Sequence, residues 1–271
     1  MSTDHVPTVE SLEGLWTRSL IVWPDGSRDT TTQVRWLQGP GLYCDLRQPE
    51  GAPSFEGVHR LADVTPVHLE WMARQEAFAG ELTFDGECFE WAREIDLQPR
   101  AALPDRGHLR FEDDVLVELG EHVAYVEHWH RRASSAWCSA AARLTDDDGR
   151  RVYLVRVDDF FMYARGREQE LPAGTTLLEC IRTAPSREAA LQLFDFEVAF
   201  GRIGPLGWTI ERSSLPFREG LRFEPRALGS SALAVPDSDP HRGTRERRWR
   251  IAELWGDIAD LLPVIETVSA S

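Results

Sequence analysis

The sequence contains no lysine, so arginine supplies all 30 of its basic residues. It contains 45 acidic residues, which gives a formal net charge of −15 at pH 7. An acidic surface repels both the phosphates of nucleic acids and anionic lipid headgroups. We therefore expect neither a nucleic acid nor a membrane to be the partner of this protein.

Cysteine is scarce. The four cysteines lie far apart without CxxC spacing, at Cys44, Cys88, Cys138 and Cys180. This distribution predicts reduced thiols and argues against a disulfide framework or a zinc site. The sequence also begins without a basic and apolar leader, and no long apolar run follows. We expect a cytoplasmic protein, and the sequence leaves its oligomeric state open.

Several catalytic and nucleotide-binding motifs are absent. The sequence has no GxGxxG, no Walker-A loop, no GxSxG, no HExxH and no EF-hand loop. These absences exclude most of the recognisable nucleotide-dependent, serine-hydrolase and metalloprotease mechanisms. They leave open an enzyme whose catalytic residues are spread over several strands.

Short β-like segments separated by turn residues dominate the sequence. The pair Asp85-Gly86, flanked by alternating residues, is typical of a β-hairpin turn. About ten to twelve such segments follow one another at the spacing of a sandwich or barrel. The sequence shows no convincing internal repeat. The pattern predicts an all-β fold in which residues 1–271 form one large antiparallel barrel of about ten strands. Two smaller barrels, divided near residue 147, are the alternative.

The sequence predicts only a few short helices. Thr65 followed by Pro66 is typical of a helix start, and Ser186 is a second N-cap candidate. Thr176 and Glu179 have the spacing of a capping box. Because strands and helices do not alternate, we expect these helices to lie beside the barrel rather than to connect parallel strands.

The segment EGLW, with Gly14 and Trp16 at the start of the first strand, resembles the Gly-x-Trp signature of lipocalin-like (calycin) barrels. In that superfamily the tryptophan closes one end of the barrel and an arginine from the last strand stacks on it. The resemblance implies that the predicted barrel is calycin-like and that Arg247, Arg248 or Arg250 has this role here.

Longer runs resemble poorly characterised lipocalin-like proteins of fungi and bacteria. They are WPDGSRDTTTQVRWLQGPGLYCDLRQP, EWAREIDLQP and DRGHLRF. The sequence lacks the signal peptide, the disulfide pair and the Thr-Asp-Tyr motif of secreted lipocalins, so it is more similar to intracellular relatives such as fatty-acid-binding and nitrobindin-like barrels. The resemblance implies an intracellular barrel that binds a small, largely apolar ligand in its interior.

The segment VEHWHRR places two histidines on one face of a strand. His128 and His130 are two residues apart, whereas Glu127 and Trp129 occupy the opposite face. A stable metal site needs three or four ligands. We therefore expect no metal site, and we interpret the histidines as polar groups that line a ligand cavity.

A second polar face lies in LYCDLR, where Tyr43, Asp45 and Arg47 alternate with apolar residues. This face lies either in solvent or inside the barrel, where it would bind a carbonyl- or carboxylate-bearing ligand. Tyr163 shares a face with Arg165 and is a further ligand-binding candidate, although core packing explains it equally well.

The first hypothesis is therefore a ligand-binding barrel whose polar residues are Tyr43, Asp45, Arg47, His128, His130 and Tyr163. The second is a cofactor-free isomerase, lyase or hydratase, with His128 or His130 paired with Glu127 or Asp45 as acid and base. Two further hypotheses remain. The barrel binds haem through one of the histidines, or it serves only as an interaction scaffold. Apart from haem, we expect no cofactor.

Overall fold

Antiparallel strands form most of this protein. The computed structural model describes residues 5–133, 138–147, 149–239 and 243–262. Strands make up 47% of the structure and helices 13%, which confirms the all-β prediction and the short helices. Whether the chain is one domain or two stays a prediction.

The first sheet closes into a barrel. Its strands are β1 (Gly14–Val22), β2 (Arg28–Asp29), β3 (Gln33–Gln38), β4 (Leu42–Gln48), β5 (Glu76–Phe84), β6 (Phe89–Asp96), β7 (Arg106–Glu112), β8 (Val115–Gly120) and β9 (Val126–Arg131). They pair in the order β2-β1-β3-β4-β5-β6-β7-β8-β9, and β9 also pairs with β1. Eight strands thus form a closed barrel, to which the short β2 adds an extension.

The second sheet is a half-barrel. Its strands are β10 (Ser139–Thr145), β11 (Arg151–Val157), β12 (Phe160–Arg165), β13 (Glu197–Gly204), β14 (Gly207–Ser213), β15 (Arg226–Ala227), β16 (Ala232–Asp239) and β17 (Gly243–Trp255). They pair in the order β14-β13-β12-β11-β10-β17-β16-β15. Within the described residues β14 and β15 do not pair, so this sheet stays open.

In the part of the chain that the structure describes, four short α-helices accompany the sheets: α1 (Pro66–Met72), α2 (Leu177–Thr183), α3 (Arg187–Gln192) and α4 (Ile258–Leu261). The predicted helix starts are confirmed at Thr65, at the Thr176–Glu179 capping box and at Ser186, whose hydroxyl accepts from the Ala189 N–H at 3.1 Å. No helix in the described ranges is long and apolar enough to span a bilayer.

The two sheets follow the same sequence of hairpins. Helix α1 connects β4 to β5, and helices α2 and α3 connect β12 to β13 at the equivalent place. Strand β17 returns to β10 as β9 returns to β1. The sheets differ where β6 meets β7, because the corresponding strands β14 and β15 remain apart. The two sheets therefore share much of their topology, although the sequence shows no convincing internal repeat.

One apolar core joins the outer wall of the closed barrel to the second sheet. On β4, Leu42, Cys44 and Leu46 point into this shared core, where Val155 and Met162 of the second sheet also lie. A second apolar cluster fills the concave side of the half-barrel, and a third fills the closed barrel. Strand β4 is therefore covered on both faces. All four cysteines are free thiols.

The signature tryptophan closes one end of the barrel, but its arginine partner is not one of those expected. The guanidinium carbon of Arg131 lies 4.5 Å from the centroid of the Trp16 ring. Arg247 instead forms an ion pair with Asp237 in the half-barrel, and Arg248 and Arg250 are exposed. The expectation of Arg247, Arg248 or Arg250 was wrong because the barrel closes at β9, midway along the chain.

Candidate functional site

The interior of the closed barrel has an aromatic end and a polar end. Four tryptophans pack together at the aromatic end, with Trp36 at the centre of the group. Its ring centroid lies 5.4 Å from that of Trp129, 5.7 Å from that of Trp16 and 5.8 Å from that of Trp91. Rings at these separations fill the space between the strands, so the aromatic end is core.

Arginines and carboxylates from three strands meet at the polar end. Arg47 Nε donates to Asp45 Oδ1 at 3.0 Å, and its Nη1 lies 3.8 Å from Glu127 Oε1. Arg18 forms a second, closer ion pair with Glu127. Burial raises the pKa of Asp45, although the Arg47 guanidinium acts in the opposite direction. These charges are retained inside the barrel because each is paired.

A bulge in β6 aims Arg93 into the same group. The register between β5 and β6 shifts after Ala79, so Glu94 is an extra residue. Arg93 lies 3.6 Å above the Phe78 ring in the barrel, whereas Ile95 packs in the core shared with the second sheet. Arg93 Nη2 donates to Asp105 Oδ2 at 2.6 Å, and Nη1 donates to Asp96 Oδ2 at 3.2 Å. Burial lowers the pKa of the guanidinium, but these two carboxylates outweigh it and raise the pKa.

Two carboxyl groups face each other across neighbouring strands. Glu118 on β8 and Glu127 on β9 are register partners and both are buried. Glu118 Oε1 lies 2.7 Å from the Tyr125 hydroxyl oxygen, and Oε2 accepts from Trp129 Nε1 at 3.0 Å. Burial, and then the charge of Glu127, raises the pKa of Glu118 well above its ordinary value.

Two cavities reach this polar end. The mouth cavity, of about 230 Å³, lies at the barrel end and is lined by Arg18, Arg47 and Glu127 among others. The larger cleft, of about 1240 Å³, lies between the barrel and the second sheet, and residues 90–96, 100–106 and 149–151 contribute to its walls. Three residues line both cavities: Arg93, Asp105 and Tyr125.

The cleft exists because the barrel wall is incomplete between β6 and β7. These strands pair only at Phe89–Gly107 and Glu90–Arg106. Trp91 still bonds to Asp105 through the backbone, and beyond that point β6 continues without a register partner on this side in the described structure. The gap exposes Arg93, which would otherwise be enclosed in the interior.

Apolar side chains surround the entrance. Leu103 and Val123 line the cleft with 57% and 46% of their surfaces exposed, and Trp23 lines the mouth cavity with 42% exposed. The Trp23 ring meets the Tyr125 ring edge-on at 5.9 Å. Exposed apolar side chains beside a polar floor are typical of ligand sites.

The structure places Tyr43, Asp45 and Arg47 together on the interior face of β4. Of the two positions considered for this face, solvent and the barrel interior, the structure has the barrel interior. Glu127 joins them from β9. Tyr43 lies in the aromatic cluster, and burial raises the pKa of its hydroxyl well above its ordinary value.

The other candidates lie elsewhere. His128 and His130 occupy the outer face of β9, where His130 Nε2 lies 2.8 Å from Ser19 Oγ, and neither histidine lines the two cavities. Their parity with Val126 places them outside, because Glu127 and Trp129 point inward. Tyr163 lies in the half-barrel, against Phe223. The roles predicted for these three residues stay predictions.

Several residues of the site could not be predicted from the sequence. They are Arg18, Arg93, Asp105, Glu118 and Tyr125. Each belongs to a strand or turn with mixed polar and apolar residues, and only the pairing of distant strands brings them together.

The fold defines this chain as an antiparallel all-β protein with one closed barrel and one half-barrel, and the closed barrel is consistent with a calycin-like fold. The sequence matches no protein-family model and no functionally curated protein. Its structure is similar to the crystal structure of the uncharacterized protein YLR301w from Saccharomyces cerevisiae, with a TM-score of 0.51 and 13% identity over 89% of this chain and 98% of that one. At this identity the likeness concerns the fold alone.

Proposed function

We propose that this protein binds a small molecule at the polar end of its closed barrel. The observation that carries the proposal is the gap between β6 and β7, through which a cleft of about 1240 Å³ reaches the half-buried group of Arg93, Asp105 and Tyr125. Ligand sites combine a concave, partly apolar surface with a few convergent polar groups, and this cleft has both.

The chemistry of the cleft favours a ligand with an apolar body and a polar group. Leu103, Val123 and Trp91 offer apolar contacts, and Arg93 and Tyr125 offer hydrogen bonds. Because tryptophans fill the aromatic end of the barrel, the apolar body has its place in the cleft and the polar group points into the barrel.

A titration with the fluorescent dye 1-anilinonaphthalene-8-sulfonate tests this proposal, because the dye has an apolar body and a polar group. We expect saturable binding to the folded protein. Leu103→Ser removes an apolar wall and weakens binding about tenfold. The matched control is Leu206→Ser, since Leu206 is 80% exposed and does not line the cleft.

The outcome that contradicts the proposal is equally specific. Absence of saturable binding, or equal effects of the Leu103 and Leu206 substitutions, would show that the cleft is not the site. The cofactor-free enzyme, haem binding, the interaction scaffold and the cytoplasmic location stay predictions. So does the expectation that neither a nucleic acid nor a membrane is a partner.

A further inference from the structure

The facing carboxyl groups of Glu118 and Glu127 constrain each other's charge. Both side chains point into the barrel from directly opposed positions on β8 and β9. Opposed residues on one face of a sheet have Cβ atoms about 4.5–5.5 Å apart. Two buried carboxyl groups this close do not both ionise, because each charge disfavours the other.

Their partners decide which group keeps the proton. Glu127 forms ion pairs with two guanidinium groups, those of Arg18 and Arg47. The hydrogen-bond partners of Glu118 are neutral: the hydroxyl of Tyr125 and the indole of Trp129. Cations stabilise the ionised form of a carboxyl group, and the hydrogen-bond partners of Glu118 include none, so Glu118 is the member of the pair that keeps a proton.

The proton of Glu118 fixes the direction of its bond to Tyr125. The Trp129 indole can only donate, so Glu118 Oε2, 3.0 Å away, is an acceptor. The proton of the acid therefore lies on Oε1, which is 2.7 Å from the Tyr125 oxygen. The acid donates to Tyr125, and the hydroxyl proton of Tyr125 is left for another acceptor.

We propose that Tyr125, held by the neutral acid Glu118, is the hydrogen-bond donor that the site presents to its ligand. Tyr125 lines both the mouth cavity and the cleft, so it borders the space that a ligand would occupy in either. The ligand class is then a molecule with an acceptor oxygen, such as a carbonyl, carboxylate or sulfonate. This assignment rests on the proposed function, and Glu118 is a positioning residue in it.

The assignment makes binding sensitive to pH. The charged or titratable groups that act on Glu118 come from four elements: Glu127 on β9, Tyr125 before β9, Asp105 before β7 and Arg47 on β4. When Glu118 loses its proton, Tyr125 has to donate to it and no longer donates to the ligand. Affinity for an acceptor ligand therefore falls as the pH rises through the titration of Glu118.

The dye titration of the proposed function, repeated with three variants, tests this assignment. Tyr125→Phe removes the donor and weakens dye binding about tenfold. Glu118→Gln keeps a neutral group that donates to Tyr125 and accepts from Trp129, so affinity stays within about twofold and its pH dependence disappears. Tyr153→Phe is the matched control, because Tyr153 also donates to a glutamate, Glu94, yet lines neither cavity.

Infrared spectroscopy of the protein without dye decides the state of Glu118 independently. We expect the carbonyl band of a neutral carboxylic acid at neutral pH, and its loss in Glu118→Gln. Absence of that band overturns the assignment, whatever the dye does. If Leu103→Ser weakens dye binding and Tyr125→Phe does not, the cleft is the binding site but Tyr125 is not the donor. If the wild type binds no dye, the proposed function is wrong, and the assignment of Tyr125 as the donor to the ligand is wrong as well.

Discussion

The guanidinium of Arg131 covers the ring of Trp16 at 4.5 Å and joins the last strand of the closed barrel to its first. The contact is supported on both sides. Trp16 Nε1 donates to the Leu12 carbonyl at 2.7 Å, and Arg131 donates to the Ser11 carbonyl. Gly14 adopts a φ of 141°, a conformation that other residues rarely adopt, and its α-carbon faces the Arg131 side chain. The barrel end is thus sealed by residues from both ends of the same sheet.

Replacing Arg131 by Met therefore destabilises the protein. A cation over a buried ring contributes about 1–2 kcal/mol, and we expect a loss of this size in the free energy of unfolding. Urea denaturation followed by tryptophan fluorescence measures it. Arg248→Met, at an exposed arginine of β17, is the control and stays within about 0.5 kcal/mol. Equal effects of the two substitutions would contradict the sealing role of Arg131.

Trp16 could be predicted from the sequence as the tryptophan at the barrel end, but its partner Arg131 could not, for a physical reason. Turn residues and alternation are local, so the all-β class and the helix starts at Thr65 and Ser186 could be predicted. Barrel closure depends on which distant strands pair, and no local pattern states that β9 rather than β17 returns to the first strand.

The candidate site shows the same limit. Alternation separates Tyr43 and Asp45 from Leu42 and Cys44, but it does not say which face points inward. Likewise, strict alternation would place Arg93 and Ile95 on one face, and only the bulge at Glu94 separates them. Which charged residues are buried inside the barrel depends on how the whole sheet is assembled, and local sequence patterns do not contain that information.

Glu127 holds two arginines inside the barrel, so its charge is expected to be essential for stability. In Glu127→Gln, Arg18 and Arg47 lose a shared buried counter-ion, and we expect a loss of about 3 kcal/mol. Glu76 also pairs with Arg47, at 3.9 Å, but its side chain is 49% exposed. Glu76→Gln should therefore cost less than about 1 kcal/mol. Chemical denaturation of both variants at pH 7 makes the comparison, and similar losses would refute the prediction.

The raised pKa of Glu118 makes the stability of the protein depend on pH. The unfolded chain releases this proton near the ordinary pKa of 4.5, whereas the folded barrel retains it. Above that pH, unfolding releases a proton, so the free energy of unfolding falls as the pH rises, by up to about 1.4 kcal/mol per pH unit.

Glu118→Gln removes this linkage. Relative to the wild type, the variant should gain stability steadily from about pH 5 to about pH 7. Denaturation curves across that range measure the difference. Removing a charge from the surface by Glu56→Gln is the control, and its difference from the wild type should stay flat. A flat difference for Glu118→Gln as well would mean that Glu118 ionises freely in the folded state.

Two buried tyrosines should respond oppositely to loss of their hydroxyl groups. The Tyr163 hydroxyl is buried and has no hydrogen-bond partner among the described residues, whereas the Tyr153 hydroxyl donates to Glu94 Oε2 at 2.6 Å. Tyr163→Phe is therefore neutral or slightly stabilising, and Tyr153→Phe costs about 1–2 kcal/mol. Thermal unfolding of the two variants checks this pair. A clear loss of stability in Tyr163→Phe would contradict this prediction and would show that the hydroxyl has a polar partner.

The bulge that aims Arg93 inward depends on Gly80. A Cβ at residue 80 would lie 1.8 Å from the Ala92 carbonyl oxygen and 3.0 Å from the Glu94 nitrogen, both backbone atoms of the bulge. Gly80→Ala forces β5 and β6 apart where β6 leaves β7. We expect a loss of about 3 kcal/mol or more in the free energy of unfolding.

Gly204→Ala is the control for that substitution, because nothing lies within 4 Å of a Cβ at residue 204. It should be neutral or stabilising by up to about 1 kcal/mol. Both variants are compared by denaturation, and the folded fraction of Gly80→Ala is then titrated with the dye. Displacement of Arg93 should weaken dye binding in the molecules that still fold, because Arg93 lines both cavities. A stable Gly80→Ala protein with unchanged affinity would show that neither the bulge nor the position of Arg93 shapes the site.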